Sequence, residues 1–254
     1  MDAAERLALG LVDAERKRRA RMPGAEVLEI DGLVLALSNV PDPALNSVTV
    51  EREPTDAIRA LRVAEEEFDR RGHPLGIDLQ AGRHASIDQA VRDLGLTRII
   101  EQPGMVVPLD DMAPAPLPDG IEVRTVAGEE GAQALVDVGV HAFDDDPDVA
   151  GRFYAAGSFG VPGASSFVAW EADRPVAIAA SYLHEGAVGI FGVGVVPAAR
   201  RRGLGAAITA HAARAHPGAD LAWLQPTDMA VGMYGALGFR RVSDWEVWVR
   251  QAGP

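Results

Sequence analysis

The residues best placed to do chemistry lie between Val195 and Ala206, in the run Val-Val-Pro-Ala-Ala-Arg-Arg-Arg-Gly-Leu-Gly-Ala. An apolar strand reads up to Val196, a short loop follows, and a helix opens at the glycines. The first N–H groups of a helix have no internal acceptor and carry the positive end of its dipole. Glycine at 203 and 205 keeps side chains out of the way, so a diphosphate can lie against the backbone. Arg200, Arg201 and Arg202 add cationic charge beside it. Gly-x-Gly alone would read rather as a glycine-rich turn with solvated arginines. The strand, the Arg-x-x-Gly-x-Gly spacing and the following helix together point to anion binding. A rival phosphate motif, Gly192-Val193-Gly194, lies inside the strand, lacks the third glycine of a dinucleotide fingerprint, and is not followed directly by a helix. Those two glycines fit a bulge or a close backbone approach.

A second segment, Asp228 to Phe239, reads as a helix stopped by Gly238, with Phe239 returning to the core and Tyr234 in the last turn. By itself Tyr234 reads as a half-buried structural tyrosine.

Alternating elements must position these segments. Residues 2–21 read as an amphipathic helix whose basic end (Arg16, Lys17, Arg18, Arg19, Arg21) reads as a solvated face, with an interaction patch as the alternative. Strands follow at Val27–Ile30 and Leu33–Leu37 around the Asp31-Gly32 turn, and at Asn46–Glu51. A helix capped by Thr55 or Asp56 runs to Arg71, and Gly76–Leu79 is a short buried strand. Ser86–Leu94 is a helix ended by Gly95, and Met105–Pro108 closes this half. Residues 110–120 carry three prolines and no periodicity, and read as the linker. The second half then reads βααβββαβαβ: Ile121–Val126, Glu129–Phe143, a helix after Asp146-Pro147, Ser166–Glu171, Val176–Leu183, Ala187–Val196, Gly203–Ala215, Leu221–Leu224, Met229–Leu237 and Val242–Arg250. That order makes a mixed sheet with helices on both faces.

Composition narrows the function classes. With no cysteine among 254 residues, disulfides, thiolate nucleophiles and Cys-based zinc sites are excluded. The six histidines are scattered, so no metal is expected. The net charge of -13 repels nucleic acid and anionic membrane, and a polyanionic ligand would need a local basic pocket. No apolar run approaches the roughly 18 residues of a membrane span, and the acids mixed into the N-terminus do not read as a leader, so a cytoplasmic protein is expected.

The two segments together resemble the GNAT superfamily of acyl-CoA N-acyltransferases. There an Arg/Gln-x-x-Gly-x-Gly/Ala loop cradles the CoA diphosphate and a tyrosine helix ends in Leu-Gly-Phe. Arg200, Gly203 and Gly205 match the first motif, and Tyr234, Leu237, Gly238 and Phe239 the second. The resemblance covers residues 121–250. It implies an α/β (α+β) fold and acetyl-CoA as co-substrate. Val195, Val196 and Pro197 would meet the pantetheine arm, and Arg200 to Ala206, including Leu204, the diphosphate. A neutral amine would attack the thioester directly in a ternary complex. Tyr234 would donate a proton to the leaving thiolate. Two departures stand out. The central strand, Ile190-Phe191-Gly192-Val193-Gly194, lacks the glutamate that many relatives use as base, and Thr227 stands where the family often has asparagine. The acidic run Asp144-Asp145-Asp146 falls where relatives line the acceptor site; a solvated loop and helix cap is the plain alternative, a cation-attracting rim the functional one.

The first half resembles a worn copy of the same unit. Arg92-Asp93-Leu94-Gly95-Leu96 parallels Gly235-Ala236-Leu237-Gly238-Phe239, with Val91 in the place of Tyr234 and no glycine loop before the helix at 56. The expectation is two tandem GNAT-like domains, each a mixed, mostly antiparallel sheet flanked by helices. Residues 1–112 would lack the cofactor loop and 113–254 would carry the acetyltransferase site. A small-molecule or peptide amine would be the acceptor, and a second copy of the chain a homodimer partner. A non-catalytic acyl-CoA sensor and an acidic interaction protein on the same fold remain the alternatives.

Overall fold

The computed structural model describes residues 1–19, 22, 24–38, 40, 45–156 and 160–250, with side chains for all of these except 152–156. In the first half come α1 (Ala3–Arg19), β1 (Glu26–Ile30), β2 (Leu33–Leu37), β3 (Ser47–Val50), α2 (Ala57–Arg70), β4 (Gly76–Gln80), α3 (Ala85–Asp93) and β5 (Thr97–Pro108). The second half holds β6 (Ile121–Thr125), α4 (Gly128–Phe143), α5 (Pro147–Ala156), β7 (Ala164–Glu171), β8 (Arg174–His184), β9 (Ala187–Val195), α6 (Leu204–Ala213), β10 (Leu221–Leu224), α7 (Val231–Ala236) and β11 (Arg240–Val249). None of the described helices is long and apolar enough to cross a membrane.

The strands form one sheet in the order β1-β2-β3-β4-β11-β5-β10-β9-β8-β7-β6. The two halves repeat each other inside it. β3 runs parallel to β4 as β9 runs parallel to β10. One helix joins each pair (α2, α6), and another follows it (α3, α7). The matching turns close alike: Leu96 N–H donates to the Val91 carbonyl at 2.9 Å, and Phe239 N–H to the Tyr234 carbonyl at 3.0 Å. Gly95 and Gly238 both take positive φ, 70° and 96°, as helix stops that glycine adopts most easily. Val91 therefore stands in the place of Tyr234.

The last strand of each half completes the other half's sheet. β11 pairs with β4, and β5 pairs with β10. Between them β5 and β11 match at nine positions, the longest ladder in the sheet, so the halves cannot part without breaking it. This exchange also extends β5 back to Thr97, well before the Met105 expected from hydropathy. Its first part, Thr-Arg-Ile-Ile-Glu-Gln-Pro-Gly, is partly polar and carries Pro103-Gly104, so only pairing with β11 holds it extended. The proline-rich stretch after Pro108 is pinned at its start: Ala113 N–H donates to the Leu237 carbonyl, and Arg214 donates to the Met112 carbonyl at 3.1 Å.

Helices α2 and α3 bury Leu61, Phe68, Ile87 and Val91 against Leu33, Leu35, Val48 and Ile77. On the same face α6 and α7 bury Leu204, Ile208 and Tyr234 against Val107, Val188 and Ile190. The opposite face carries α1 over the centre, where Leu7 and Leu11 meet Val106, Trp223 and Trp245, and α4 with α5 over β7 and β8. The basic end of α1 is not a solvated face, nor a free patch. Arg16 binds Glu29 and Glu51, Lys17 binds Asp13 and the Leu183 carbonyl, and Arg18 and Arg19 bind Glu15. Helix-surface statistics failed here because α1 packs on both halves, and carboxylates of its own turns, of β1 and of Glu51 just after β3 meet Arg16, Lys17, Arg18 and Arg19. Arg21 lies outside the described residues. Asp78 on β4, across from Thr49 and Val247, is half-buried on this face, and desolvation beside Glu15 pushes its carboxyl up to about 7.

Candidate active site

The parallel pairing of β9 with β10 stops at Gly189 and Trp223. Beyond it the strands splay, and the gap becomes a cleft. β9 bends away at a bulge, where Gly192 and Val193 together oppose Ala179, and Gly192 takes φ 57°. Gly194 allows the close approach of α4: a Cβ there would stand 2.9 Å from the Phe143 ring and 3.0 Å from Ala142 Cβ. Both sequence expectations for these glycines hold. Val196 N–H donates to the Val176 carbonyl at 3.0 Å. Alternation along an antiparallel strand therefore turns the N–H and C=O of Val195 toward the edge β10 has left.

At one end of the gap α6 begins. Its first backbone bond runs from Ala207 N–H to the Gly203 carbonyl, so the preceding N–H groups have no intrahelical acceptor. Gly203 takes φ 83°, and a Cβ there would meet no atom within 4 Å, so the cradle is open. Gly205 serves packing: its Cβ would press on Met233 Sδ at 3.1 Å. A cleft of about 500 Å³ lies against this turn, lined by Val195, Arg201, Gly203, Gly205, Met233 and Tyr234 among others. This geometry and an open cradle fit a diphosphate.

The three arginines divide. Arg200 donates to the Val195 carbonyl at 3.0 Å and to the Ala142 carbonyl at 2.9 Å, tying the loop to α4. Arg202 pairs with Glu171 at 2.7 Å. Arg201, at φ 62°, is the one of the three whose guanidinium has no partner among the described residues, and it lines the cleft. Spacing placed three cations at the site, but tertiary contacts spend two of them on the scaffold.

Tyr234 lies between the two ends of the cleft, 6 % exposed, with its ring edge-on to Phe239 at 5.7 Å. Burial pushes its hydroxyl up to about 12, partly offset by a hydrogen bond to the Thr209 side chain. Thr209 itself donates to the Gly205 carbonyl at 2.8 Å and so links Tyr234 to the anion cradle. The sequence reading missed it, since a threonine inside an alanine-rich helix carries no signal of its own.

The other end of the cleft, about 430 Å³, opens toward the α1 face. Phe143, Phe191, Trp223, Gln225 and Thr227 line it, again with Tyr234. Phe191 meets Tyr182 and Trp223 edge-on, at 5.3 and 5.4 Å, and Arg18 of α1 covers one face of its ring. None of Asp144, Asp145 and Asp146 is among the lining residues. Asp146 instead caps α5 through the N–H groups of Asp148 and Val149, and Asp144 ends α4 with φ 60°. Among the described residues no carboxylate lines either end.

In the first half the corresponding places are filled by the protein itself. Asp31, from the β1–β2 turn, accepts the N–H groups of Thr55 and Asp56 at 2.8 and 3.1 Å, at the start of α2. Glu53 accepts Ser86 N–H at 2.9 Å and contacts His84, closing the gap between the ends of β3 and β4. These bonds hold both carboxyls below their usual range.

Comparison with known proteins agrees with this geometry. Residues 162–241 match the family model for an acetyltransferase (GNAT) domain, that of acyl-CoA-dependent N-acyltransferases. No curated protein sequence matches the chain significantly. Among solved structures, a GCN5-related N-acetyltransferase from Kribbella flavida superposes with a TM-score of 0.75 at 22% identity, over 97% of this chain and 96% of its own. A tandem GNAT protein from the clavulanic acid biosynthesis pathway gives 0.67 at 15% identity, over 99% and 94%. A GCN5-related N-acetyltransferase from Sphaerobacter thermophilus gives 0.59 at 18% identity, over 88% and 78%. At these identities the likeness is one of fold.

Proposed function

We propose that this chain, whose fold is that of a tandem GNAT protein and whose residues 162–241 match the acetyltransferase (GNAT) domain, moves an acetyl group from acetyl-CoA to an amine at a single site in its second half. The observation that carries the reading is the open N-terminus of α6 at Gly203, sharing one cleft with Tyr234. When bound, acetyl-CoA supplies a thioester carbonyl open to attack and a thiolate leaving group. The N–H groups from Gly203 to Ala206 and the Arg201 guanidinium hold the diphosphate. The backbone of Val195 accepts the pantetheine arm as an added strand would. Arg200 holds the Val195–Arg201 loop in place, and Arg202 holds it through Glu171.

The amine enters from the α1 face. Its nitrogen gains a bond to the acetyl carbon, sulfur keeps the electron pair of the broken C–S bond, and one amine proton is released to sulfur or water. As charge develops on the departing sulfur, Tyr234 turns its one hydroxyl proton from Thr209 and donates it in a hydrogen bond to the sulfur. Asp31 and Glu53 occupy the corresponding places of the first half, so that half binds no CoA and serves as scaffold. Release of free CoA from acetyl-CoA over an amine panel tests the activity. Binding of acetyl-CoA without CoA release for any amine would leave a sensor in its place.

A further inference from the structure

The acceptor end of the cleft carries more information than its shape. Among the described residues, the only titratable side chain on its walls besides Tyr234 is Arg200, which is committed to two backbone carbonyls. The walls thus hold neither a base to deprotonate an incoming ammonium nor a carboxylate to seat a second positive charge. An amine must arrive already neutral. At pH 7 an α-amino group, with a pKa near 7.7–8.0, is neutral in roughly one molecule in seven; a lysine-type amine near 10.4 is neutral in roughly one in 2,500.

Gln225 supplies the second observation. It follows Trp223 by two positions, so it faces the α1 side, where the strands have just parted. It lines the cleft, and its Nε2 is buried with no partner among the described residues. A buried amide donor without an acceptor costs stability, and a substrate oxygen at that point would satisfy it. Third, Phe143, Phe191 and Trp223 make the surrounding walls aromatic, and Phe191 is held by ring or cation contacts to Tyr182, Trp223 and Arg18.

Together, and resting on the acetyltransferase reading above, we propose that the acceptor is the α-amino group of an aminoacyl compound with an apolar side chain, either an amino-acid amide or a peptide N-terminus. The α-carbonyl oxygen accepts from Gln225 Nε2, the side chain lies among Phe143, Phe191 and Trp223, and the weakly basic amine needs no enzyme base. A free amino acid fits less well, because its carboxylate meets no uncommitted cation and its amine is more basic.

The test measures binding and turnover separately. Calorimetry on the full chain saturated with CoA compares phenylalaninamide, the peptide Phe-Ala-Ala-Ala amide, 2-phenylethylamine and Nα-acetyl-lysinamide. Phenylalaninamide, the peptide or both should bind, and binding by one alone identifies the source. Gln225→Leu should weaken that binding about tenfold while leaving 2-phenylethylamine, which has no carbonyl, unchanged. The same variant should raise the melting temperature of the free protein, since it removes an orphaned donor, so a loss of binding cannot be laid to misfolding. In acetyl transfer, kcat/KM for the preferred α-amine should exceed that for Nα-acetyl-lysinamide by 100-fold or more. The proposal falls if the lysine analogue binds as well as the α-amines, or if Gln225→Leu weakens 2-phenylethylamine equally. Binding of α-amines without CoA release would sink the acetyltransferase reading while leaving the recognition site standing.

Discussion

Tyr234→Phe separates a proton donor from a packing residue, and the structure sets the size of the effect. The hydroxyl sits at about 12. An alkyl thiol lies near 8.5, so handing over the proton would be uphill by about 3.5 pKa units, roughly 5 kcal/mol. Tyr234 therefore keeps its proton and works by hydrogen bonding to the sulfur as charge develops on it. A hydrogen bond to a charged partner contributes about 1.5–3 kcal/mol, which converts to roughly 10- to 150-fold in rate. Phenylalanine keeps the edge-on contact with Phe239 at 5.7 Å, so fold and acetyl-CoA binding should barely change. The expected result is a 10- to 150-fold fall in kcat with KM for acetyl-CoA within about twofold, since the bond strengthens only in the transition state. The assay is continuous release of CoA thiol with a good acceptor at saturating acetyl-CoA, after a single-turnover check that chemistry limits the rate. The wild-type profile should show no alkaline fall attributable to Tyr234 below about pH 12. Wild-type turnover by Tyr234→Phe under those conditions would refute the role, and a collapse of acetyl-CoA binding would make the hydroxyl structural.

Other perturbations follow from the same contacts. Gly203→Asp places a carboxylate in the open cradle and forces an L side chain to φ 83°, so acetyl-CoA at 100 times the wild-type dissociation constant should no longer add the roughly 2.7 kcal/mol expected of wild type, as read by thermal shift. Calorimetry should find one CoA per chain, and Asp31→Asn should not create a second site, because Glu53 still closes the gap in the first half. Asp78, raised from 3.8 to about 7, is protonated in the folded chain and ionised in the unfolded one between those values. Its contribution is fully present below pH 3.8 and is lost as pH rises through 7, amounting to up to about 4 kcal/mol. Asp78→Asn should therefore raise the melting temperature at pH 8 and flatten its pH dependence between 4 and 7. Residues 113–254 expressed alone lack β5, which pairs with both β10 and β11. That fragment should aggregate or pair with itself, and co-expression with 1–112 should restore a soluble complex, seen by size-exclusion chromatography.

The sequence by itself determined most of the elements and the places of the glycines and helix stops. The glycines at 203 and 205 and the Leu237-Gly238-Phe239 stop are local devices: they act through φ, helix ends and excluded side chains, which neighbouring residues fix. The same holds for the turn at Gly95, which made the repeat legible through Val91 and Leu96. Only the tertiary structure decided which polar groups remain available. Arg200 and Arg202 read as ligands in sequence, but carbonyls and a carboxylate from α4, β9 and β7 claim their guanidinium groups, leaving Arg201 as the one of the three without a partner among the described residues. The basic end of α1 reads as a solvated face, but carboxylates of its own turns and Glu29 and Glu51 from the first half neutralise it. Asp31 and Glu53 carry no motif, yet each reaches a helix start more than 20 residues away and fills the place that stands open as a cleft in the other half. The exchange of β5 and β11 was equally hidden, because hydropathy marks a strand without naming its neighbour. Backbone conformation is set by contacts near in the chain, whereas the pairing of a charge or a strand edge is a competition among all groups the fold brings within reach.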